Sequence, residues 1–388
     1  MDKDSLLHVL RKHAMHLPCL QFIGDACDVT EVGDGNLNDV FRVVHRQDSN
    51  VTSSVVVKAA PPYIKCLGPE YPLTAHRCTI EYQALQKFHE IVPGYSPQPY
   101  LLIQDRHMFI MEDLSDGYVT LQAELIRGKL HLAAVRNIAV FMACVHSATH
   151  NRSQNGLLTS FSNPDMVSLT EQYIFTRPYL KDDPTNHSSE PIKAILHLVY
   201  DDMELQSIVG KFKGLFLEKQ ESLVHGDLHS GSILVRPEDG SVKVIDAEFA
   251  YIGPSALDLG LLLASYVFSY SAHKEKGNDA ESRTFCELLC QAIQLTGETY
   301  NAHLTSQEDA ALYFSQLMPE VAGFAGCELI RRIIGAAHVA DVEGCPAAEE
   351  RALRAGIWLL KNHQTVTSPT VFLICLQPAK LMLNMVKQ

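Results

Sequence analysis

The sequence has 388 residues, of which 46% are hydrophobic and 20% are charged, and its formal net charge is −13. This composition predicts a folded protein rather than a disordered one, and the length predicts two lobes or domains rather than a single core. The negative charge excludes a nucleic-acid or anionic-membrane surface as the main function, because both partners require a dense positive face.

The first residues and the cysteines predict where the protein is located. The stretch "MDKDSLLHVLRKHAMHL" has acids before its first apolar residues, which is typical of an amphipathic helix and not of a signal peptide. The apolar run from Leu257 to Tyr270 contains Asp258 and is shorter than the roughly 20 residues of a membrane span. The ten cysteines are scattered without a C-x-x-C pair. We therefore expect reduced thiols in a cytoplasmic protein without membrane contact.

The N-terminal part of the chain is predicted to be mainly β-structure. Three β-branched runs, "CDVTEVGD", "DVFRVVH" and "SSVVVKAA", are separated by turn residues, as in hairpins. A helix is predicted in "TAHRCTIEYQALQKFHEIV", where apolar residues recur at helical spacing before Pro93 and Gly94. The short strand "HMFIMEDL" then completes this part of the chain.

From about Leu121 the sequence is predicted to be mainly helical. The helical stretches are "LHLAAVRNIAVFMACVHSATH", "EPIKAILHLVYDDMELQSIVGKFKGLFLEKQ", "ESRTFCELLCQAIQLTGETY" and "PEVAGFAGCELIRRIIGAAHVADV". Between them, "SILV" and "VKVID" predict one small hairpin around "RPEDGS". We therefore predict an α+β, bilobal protein-kinase-like fold, with a β-rich N-lobe over residues 1–113 and a helical C-lobe over residues 114–388.

Three stretches of the N-lobe are candidates for nucleotide binding. In "EVGDGNLNDVFRV", Gly33, Gly35 and Asn38 would let a turn approach a phosphate chain, although ordinary hairpin turns share this composition. Lys58 lies in the apolar run "VVVKAA". It either points to solvent from an edge strand or reaches the phosphates with Glu81 as its acidic partner. The third stretch, "FIMEDL", could pair its backbone with adenine if it links the lobes.

The pair "VHGDLHSGSILV" and "VKVIDAEFA" carries the strongest chemical signal. Asp227 can accept the proton of an attacking hydroxyl or orient that hydroxyl toward the γ-phosphate. Asp246 follows at hairpin spacing, and Glu248 would point the same way in extended backbone. Two such carboxylates suit Mg²⁺ beside nucleotide phosphates. Kinases place a metal-binding Asn five positions after the catalytic Asp, where this chain has Ser232, so Glu248 is expected to supply the second metal ligand.

Four motifs together closely resemble the methylthioribose kinase family: "EVGDGNLN", "HGDLHSGSI", "DAEFAYIGP" and "GFAGCELIRRIIGAAHVADVE". The resemblance extends from about Val32 to Glu343, and the family shares its fold with aminoglycoside phosphotransferases and choline kinases. It implies phosphorylation of the 1-hydroxyl of 5-methylthioribose with ATP and Mg²⁺, in methionine salvage. It also implies a homodimer.

The resemblance implies a role for each site residue by its position. The implied nucleotide-binding residues are Asn38, Lys58, Glu81, Met111, Glu112, Asp113, Asp246, Ala247 and Glu248. Asp227 would bind the substrate and act as the base, while Asp246 and Glu248 would hold the metal. Arg331 and Arg332 match twin arginines near the substrate. Adjacent helical residues point about 100° apart, so one arginine could approach the transferring phosphate while the other pairs with an acid. The alternative is that one or both form ordinary salt bridges on the surface of the C-lobe.

Two positions depart from the family pattern, and several alternatives stay open. Ala247 stands where the family usually has Pro, and Tyr71 stands where Trp precedes "PLT", but neither change removes a ligand. The alternatives are a kinase of the same fold for choline, an aminoglycoside or homoserine, and a pseudokinase that binds nucleotide without turnover. A cationic substrate would favour an acidic or aromatic cage, so Arg331 and Arg332 favour an uncharged sugar.

Overall fold

The computed structural model describes residues 3–14, 17–23, 27–32, 37–47, 50–150, 160–277, 279–305 and 309–377. The chain divides into two compact units. The first unit runs to Tyr118 and also includes Lys243–Phe249, and the second contains Val119–Val242 and the residues from Ala250 onward. The lobe boundary expected after Asp113 stays a prediction.

A five-stranded antiparallel sheet forms the centre of the first unit. Its strands are β1 (Cys27–Glu31), β2 (Asp39–Gln47), β3 (Asn50–Ala59), β4 (Pro99–Ile103) and β5 (Met108–Glu112). Their order across the sheet is β1-β2-β3-β5-β4, and every neighbouring pair is antiparallel. The three β-branched runs are confirmed as β1 to β3. The strand β4 was not predicted, because "PYLLI" shows no alternation of apolar and polar residues.

Two helices pack on the first unit's sheet or beside it. The predicted N-terminal amphipathic helix is confirmed as α1 (Lys3–Ala14), and its Leu6 and Leu10 are buried in the same core as Val57 of β3. The second predicted helix is confirmed as α2 (Arg77–Ile91). The first turn of α2 is buried on all sides, and from Ile80 onward its buried residues recur at helical spacing, as expected for a helix that covers apolar surface.

The second unit contains the remaining strands, except that β9 continues from Val242 into the first unit's segment. They are β6 (Val119–Thr120), β7 (Ser222–Val224), β8 (Ile233–Val235), β9 (Val242–Val244) and β10 (Tyr251–Gly253). The strand β7 pairs antiparallel with β10, and β6 pairs antiparallel with β8. The two short strands predicted in "SILV" and "VKVID" are confirmed as β8 and β9, and β9 leads into the first unit's segment Lys243–Phe249.

Helices make up most of the second unit. They are α3 (Leu121–Ile126), α4 (Leu132–Thr149), α5 (Pro164–Thr170), α6 (Glu190–Lys193), α7 (His197–Tyr200), α8 (Met203–Glu218), α9 (Ala256–Lys276), α10 (Ala280–Ala302), α11 (Ala310–Ile334), α12 (Pro346–Asn362) and α13 (Pro369–Phe372). The central helix α9 packs against α10, α11 and α12, and α4 packs against α10. This arrangement buries α9 along nearly its whole length.

Two helical predictions differ from the structure in detail. The long stretch that begins at Glu190 contains three helices instead of one. The third begins after Asp202, which caps it by accepting a hydrogen bond from the Leu205 N–H at 2.9 Å. The helix predicted from Pro319 begins earlier, at the start of α11, and Pro319 lies inside it. It also ends before Gly335, so the last residues predicted as helical lie outside it.

The helix α4 is long and apolar enough to cross a membrane by length and composition. However, 61% of that stretch is buried inside the protein, where it packs against α10 and β7. A helix in the core of a protein can have the same length and composition as a membrane span. The burial of α4 is typical of such a core helix. The apolar run from Leu257 to Tyr270 likewise lies on the buried central helix α9.

Gly260 permits close contact between α9 and α11, and its replacement tests that contact. A Cβ at Gly260 would lie 2.8 Å from Phe324 Cβ, 2.9 Å from Ala325 N and 3.0 Å from Val321 O. We expect Gly260→Ala to lower the free energy of unfolding by about 1–3 kcal/mol, because the backbone of α11 cannot move away easily. Urea unfolding followed by circular dichroism measures this change.

Gly210 provides the matched control for this substitution. It lies on the exposed side of α8, and nothing is within 4 Å of the position that a Cβ would take. Gly210→Ala should therefore raise the free energy of unfolding by about 0.5–1 kcal/mol, because Ala is the better helix former. Equal stability of the two variants would contradict the close contact.

Candidate active site

Lys58 lies at the centre of a buried group of charges in the first unit. It projects from β3, which has a neighbouring strand on each side, and only 4% of its side chain is exposed. Its Nζ donates to Glu81 Oε1 on α2 at 2.8 Å and to Asp246 Oδ1 at 2.6 Å. A Lys58 that points to solvent from an edge strand is therefore wrong, and the predicted acid Glu81 is its partner.

The charges around Lys58 do not balance. Glu81, Asp246 and Glu248 bring three carboxylates, against the two cationic side chains of Lys58 and Arg77. Burial raises the pKa of Glu81, and the nearby carboxylates raise it further, although Lys58 lowers it. Burial alone would lower the pKa of Lys58, but the three carboxylates raise it above its ordinary value. This excess of negative charge would be relieved by a bound cation.

The backbone that carries Asp246 and Glu248 is not extended, contrary to the expectation from the sequence. Asp246 has a left-handed φ of 63°, and Ala247–Phe249 form a short 3₁₀ turn. The expected extended backbone is therefore wrong, and the two acids need not point the same way. Glu248 is buried: its Oε1 accepts from Asn38 Nδ2 at 2.9 Å, and its Oε2 lies 3.1 Å from Arg77 Nε.

The acidic donors fit a hard divalent cation. Among the described residues, no three His, Cys, Asp or Glu side chains form a cluster that could hold a metal ion. The pair Asp246 and Glu248 nevertheless supplies carboxylate oxygens, which Mg²⁺ prefers when nucleotide phosphates complete its coordination. The Asp246 side chain is 53% exposed and is the accessible donor, whereas the Glu248 carboxylate contacts Asn38 and Arg77.

The other predicted nucleotide-binding residues are only partly described. Gly33 and Gly35 lie outside the described residues. The predicted adenine segment, Met111–Asp113, forms the end of β5 and the residue that follows it. The Glu112 N–H donates to the Gln98 carbonyl at 2.9 Å, so this donor is already engaged within the first unit.

Asp227 follows β7 in a loop that Asp258 of α9 holds in place. Asp258 is buried, and its carboxylate accepts from the main-chain N–H of His225 at 2.7 Å and of Gly226 at 3.0 Å. Gly226 has a φ of 84°, a backbone conformation that residues with a Cβ rarely adopt. The ring of His146 lies 3.2 Å from the same carboxylate. A buried network of charge-assisted hydrogen bonds to Asp258 therefore fixes the backbone of the loop that carries Asp227.

Ser232 takes part in the internal structure of the same loop. Its Oγ accepts a hydrogen bond from the His229 N–H at 3.0 Å and lies 3.0 Å from the main-chain carbonyl of Asp227. The side chain is buried within this turn. The residue that stands where other kinases have a metal-binding Asn therefore stabilises the loop backbone.

Both twin arginines approach Asp227, because Glu328 holds them together. Arg331 Nε and Arg332 Nε lie 2.5 and 2.8 Å from the two carboxylate oxygens of Glu328, one helical turn earlier on α11. Their Nη2 atoms lie 3.4 and 3.9 Å from Asp227 Oδ1. Both arginines therefore pair with an acid, whereas the approach of one of them to a phosphate group stays a prediction. Surface salt bridges are excluded, because all three side chains of this ion-pair group on α11 are largely buried.

The positive surroundings of Asp227 keep its carboxyl group ionised. Burial raises the pKa of Asp227, but the neighbouring His229, Arg331 and Arg332 lower it by more than burial raises it. The resulting pKa is well below the ordinary value of an aspartate. His229 Nε2 lies 3.6 Å from Asp227 Oδ2. A carboxylate with such a low proton affinity is suited to accept a hydrogen bond from a hydroxyl group and to orient it.

Four charged or polar residues that surround Lys58 or Asp227 were not predicted from the sequence. They are Arg77, His146, Asp258 and Glu328. Asp258 and Glu328 carry a signal that could have found them, because an acid within an apolar helix must find a partner. Arg77 carries another signal, since a cation in the first turn of a helix is disfavoured by the helix dipole.

Comparisons with protein families and with known proteins identify relatives of this chain. A model of the phosphotransferase enzyme family matches residues 28–280. Methylthioribose kinase from Geobacillus sp. (strain WCH70) is 34% identical over 362 residues, which cover 87% of each chain. Methylthioribose kinase from Yersinia enterocolitica serotype O:8 / biotype 1B is 33% identical over 341 residues, which cover 83% of each chain.

A solved structure supports the fold independently. Choline kinase from Cryptosporidium parvum Iowa II superposes with a TM-score of 0.50 at 13% identity, covering 99% of this chain and 97% of that chain. This similarity, together with the β-rich first unit and the helical second unit, shows the protein-kinase-like fold, as predicted. The family model adds that the protein is a phosphotransferase. The chain belongs to the phosphotransferase enzyme family and, within it, to the methylthioribose kinases.

Replacement of Glu328 tests the pairing on α11. Glu328→Gln keeps the shape of the side chain but removes the charge that Arg331 and Arg332 share. We expect the free energy of unfolding to fall by about 3 kcal/mol, because two buried guanidinium groups lose their counter-charge. Urea unfolding measures the change.

The half-exposed pair Glu350–Arg354, also one helical turn apart, provides the matched control. Glu350→Gln should change the free energy of unfolding by less than about 0.5 kcal/mol, since ion pairs in contact with solvent contribute little. If Glu328→Gln cost no more than Glu350→Gln, the assigned pairing would be refuted.

Proposed function

We propose that this protein transfers the γ-phosphoryl group of ATP to the 1-hydroxyl of 5-methylthio-D-ribose, giving 5-methylthioribose 1-phosphate and ADP, in methionine salvage. The observation that carries this proposal is the similarity to methylthioribose kinases over more than four-fifths of both chains. The position of Arg331 and Arg332 beside Asp227 supports it, because the two arginines belong to "GCELIRR", one of the motifs that are more specific to the family than "HGDLH".

The nucleotide is proposed to bind to residues of the first unit. Lys58 would contact the α- and β-phosphates while Glu81 holds its ammonium group. Asn38 would lie beside the phosphates, with its amide held by Glu248. The backbone of Met111–Asp113 would contact adenine through groups other than the Glu112 N–H, which is engaged elsewhere.

A magnesium ion is proposed to bind Asp246 and Glu248, with Ala247 as part of the same nucleotide-binding segment. When bound, it would neutralise charge on the phosphate oxygens of ATP. The excess of carboxylates over cations around Lys58 supports this assignment. Because Asp246 is the exposed acid, we propose that it makes the first contact with the ion.

Asp227 is proposed to orient the acceptor hydroxyl of the sugar and to receive its proton. Phosphoryl transfer passes through a loose transition state, in which the attacking oxygen gives up its proton late, so a carboxylate of low pKa is sufficient. Arg331 and Arg332 would offset negative charge on the transferring group from their positions beside Asp227. Positioning and charge neutralisation would then supply most of the catalysis.

A kinase for choline, an aminoglycoside or homoserine is not favoured. The likeness to choline kinase concerns the fold alone. A cationic substrate requires a negative or aromatic surrounding, whereas Asp227 is flanked by Arg331 and Arg332. An uncharged sugar avoids the repulsion that a quaternary ammonium group would meet there.

We further propose a cytoplasmic homodimer with no nucleic-acid or membrane partner, organised as an N-lobe over residues 1–113 and a C-lobe over residues 114–388. The ten free cysteines support a reducing compartment. The net charge of −13 argues against a polyanionic partner. The homodimer rests on the family resemblance alone.

An ADP-release assay with methylthioribose, choline and kanamycin as acceptors tests the proposed activity. We expect turnover with methylthioribose and background rates with the two cationic acceptors. Turnover with choline or kanamycin alone would replace the proposed substrate by a cationic one. Background rates with all three acceptors, combined with retained ATP binding, would support a pseudokinase.

Two aspartate variants provide the controls of this assay. Asp227→Ala should reduce kcat by about 10²- to 10⁴-fold while ATP still binds, because only the acceptor loses its orienting group. Asp239→Ala, in an exposed turn of the second unit, should leave kcat unchanged. Equal kcat values for the two variants would count against the role of Asp227.

A further inference from the structure

Arg77 joins three segments of the first unit through one guanidinium group. The side chain is fully buried at the first residue of α2. Its Nη1 donates to the Thr74 carbonyl at 2.6 Å and its Nη2 to the Leu37 carbonyl at 2.9 Å. Its Nε donates to Asn38 Oδ1 at 3.2 Å and lies 3.1 Å from Glu248 Oε2. Every edge of the guanidinium group therefore faces an oxygen atom.

Asn38 closes a ring with Arg77 and Glu248. Its Nδ2 donates to Glu248 Oε1 at 2.9 Å while its Oδ1 accepts from Arg77, so each amide atom faces a partner of matching character. The Glu248 carboxylate thus accepts one hydrogen bond from a neutral amide and forms one ion pair with a guanidinium group. Its orientation is set by side chains of the same unit before any ligand is considered.

The position of Arg77 is unfavourable for a purely structural cation. It lies in the first turn of α2, where the helix dipole disfavours positive charge, and burial adds a desolvation cost. Both costs are offset because Glu248 places a negative charge beside it. Arg is also the side chain that can donate in several fixed directions at once, which a Lys ammonium on its flexible stem cannot reproduce.

We propose that Arg77 is a positioning residue for the metal-binding side of the site. Through Glu248 it sets where a divalent cation binds, and through Asn38 and the Leu37 carbonyl it fixes the proposed phosphate-contacting residue relative to the same carboxylate. This inference rests on the proposed function, in which Glu248 is a metal ligand. Because Arg77 is fully buried, it acts through these partners and does not itself touch nucleotide or metal.

The test measures metal binding directly in the full chain. Mn²⁺, a paramagnetic substitute for Mg²⁺, is titrated into enzyme loaded with a non-hydrolysable ATP analogue, and its Kd is obtained from the electron paramagnetic resonance of the free ion. The Kd of the analogue without divalent ions is measured by calorimetry. The variants are Arg77→Lys, Glu248→Gln and their combination. Arg46→Lys is the matched control, because Arg46 forms an exposed pair with Asp28 in the same unit.

We expect Arg77→Lys to weaken Mn²⁺ binding by about 10- to 100-fold, as found when the residues that orient metal ligands are changed. Binding of the analogue without divalent ions should change much less. Glu248→Gln should weaken Mn²⁺ binding to a similar degree. The combined variant should bind Mn²⁺ no more weakly than Glu248→Gln, because Arg77 acts through Glu248. Arg46→Lys should retain the affinity of the parent enzyme.

The possible failures separate this inference from the proposed function. Unchanged Mn²⁺ affinity in Arg77→Lys, with weakened affinity in Glu248→Gln, would overturn the inference and leave the metal role of Glu248 intact. Unchanged Mn²⁺ affinity in Glu248→Gln would overturn both the inference about Arg77 and the metal role of Glu248. Fully additive losses in the combined variant would show that Arg77 acts independently of Glu248 and would also overturn the inference. An Arg77→Lys chain that does not fold at room temperature would make Arg77 structural, with the same consequence.

Discussion

A charged side chain is buried at tolerable cost only when its charge is offset, and Lys58 shows how the first unit meets this constraint. Its ammonium group contacts Glu81 on α2 and Asp246 in the segment after β9, so one interaction joins the sheet, a helix and the acidic segment. Arg77 repeats the arrangement with Glu248. The residues proposed to bind nucleotide and metal are therefore also residues that hold this unit together.

The second unit uses buried acids in the same way. Glu328 gathers Arg331 and Arg332 beside Asp227, and Asp258 fixes the backbone that carries Asp227. Each of these side chains contacts a partner of the opposite charge or a hydrogen-bond donor, so the charges around Asp227 are arranged without a bound substrate. Such preorganisation is what phosphoryl transfer requires, because the reaction is catalysed mainly by positioning and charge.

Much of the fold could be predicted from the sequence because local patterns determined it. The β-branched runs of β1 to β3 and the spacing of α2 have clear periodicities, and motif order indicated the kinase-like fold. The site was predicted less completely, because contacts between distant segments leave no periodic signal. The pairing of Glu248 with Asn38 depends on the left-handed φ of Asp246, which a short acidic motif does not reveal. The position of Arg77 in the first turn of a helix indicated that it needs a partner, but not that this partner is the distant Glu248.

Phosphorylation at the anomeric hydroxyl is the central chemical claim, and the product tests it most directly. The enzyme is incubated with ATP, Mg²⁺ and 5-methylthioribose, and the product is examined by two-dimensional proton–phosphorus NMR. We predict a new phosphate ester whose phosphorus couples to the anomeric proton of the ribose. Coupling to any other ribose proton, or the absence of a new phosphate ester, would contradict the proposed activity.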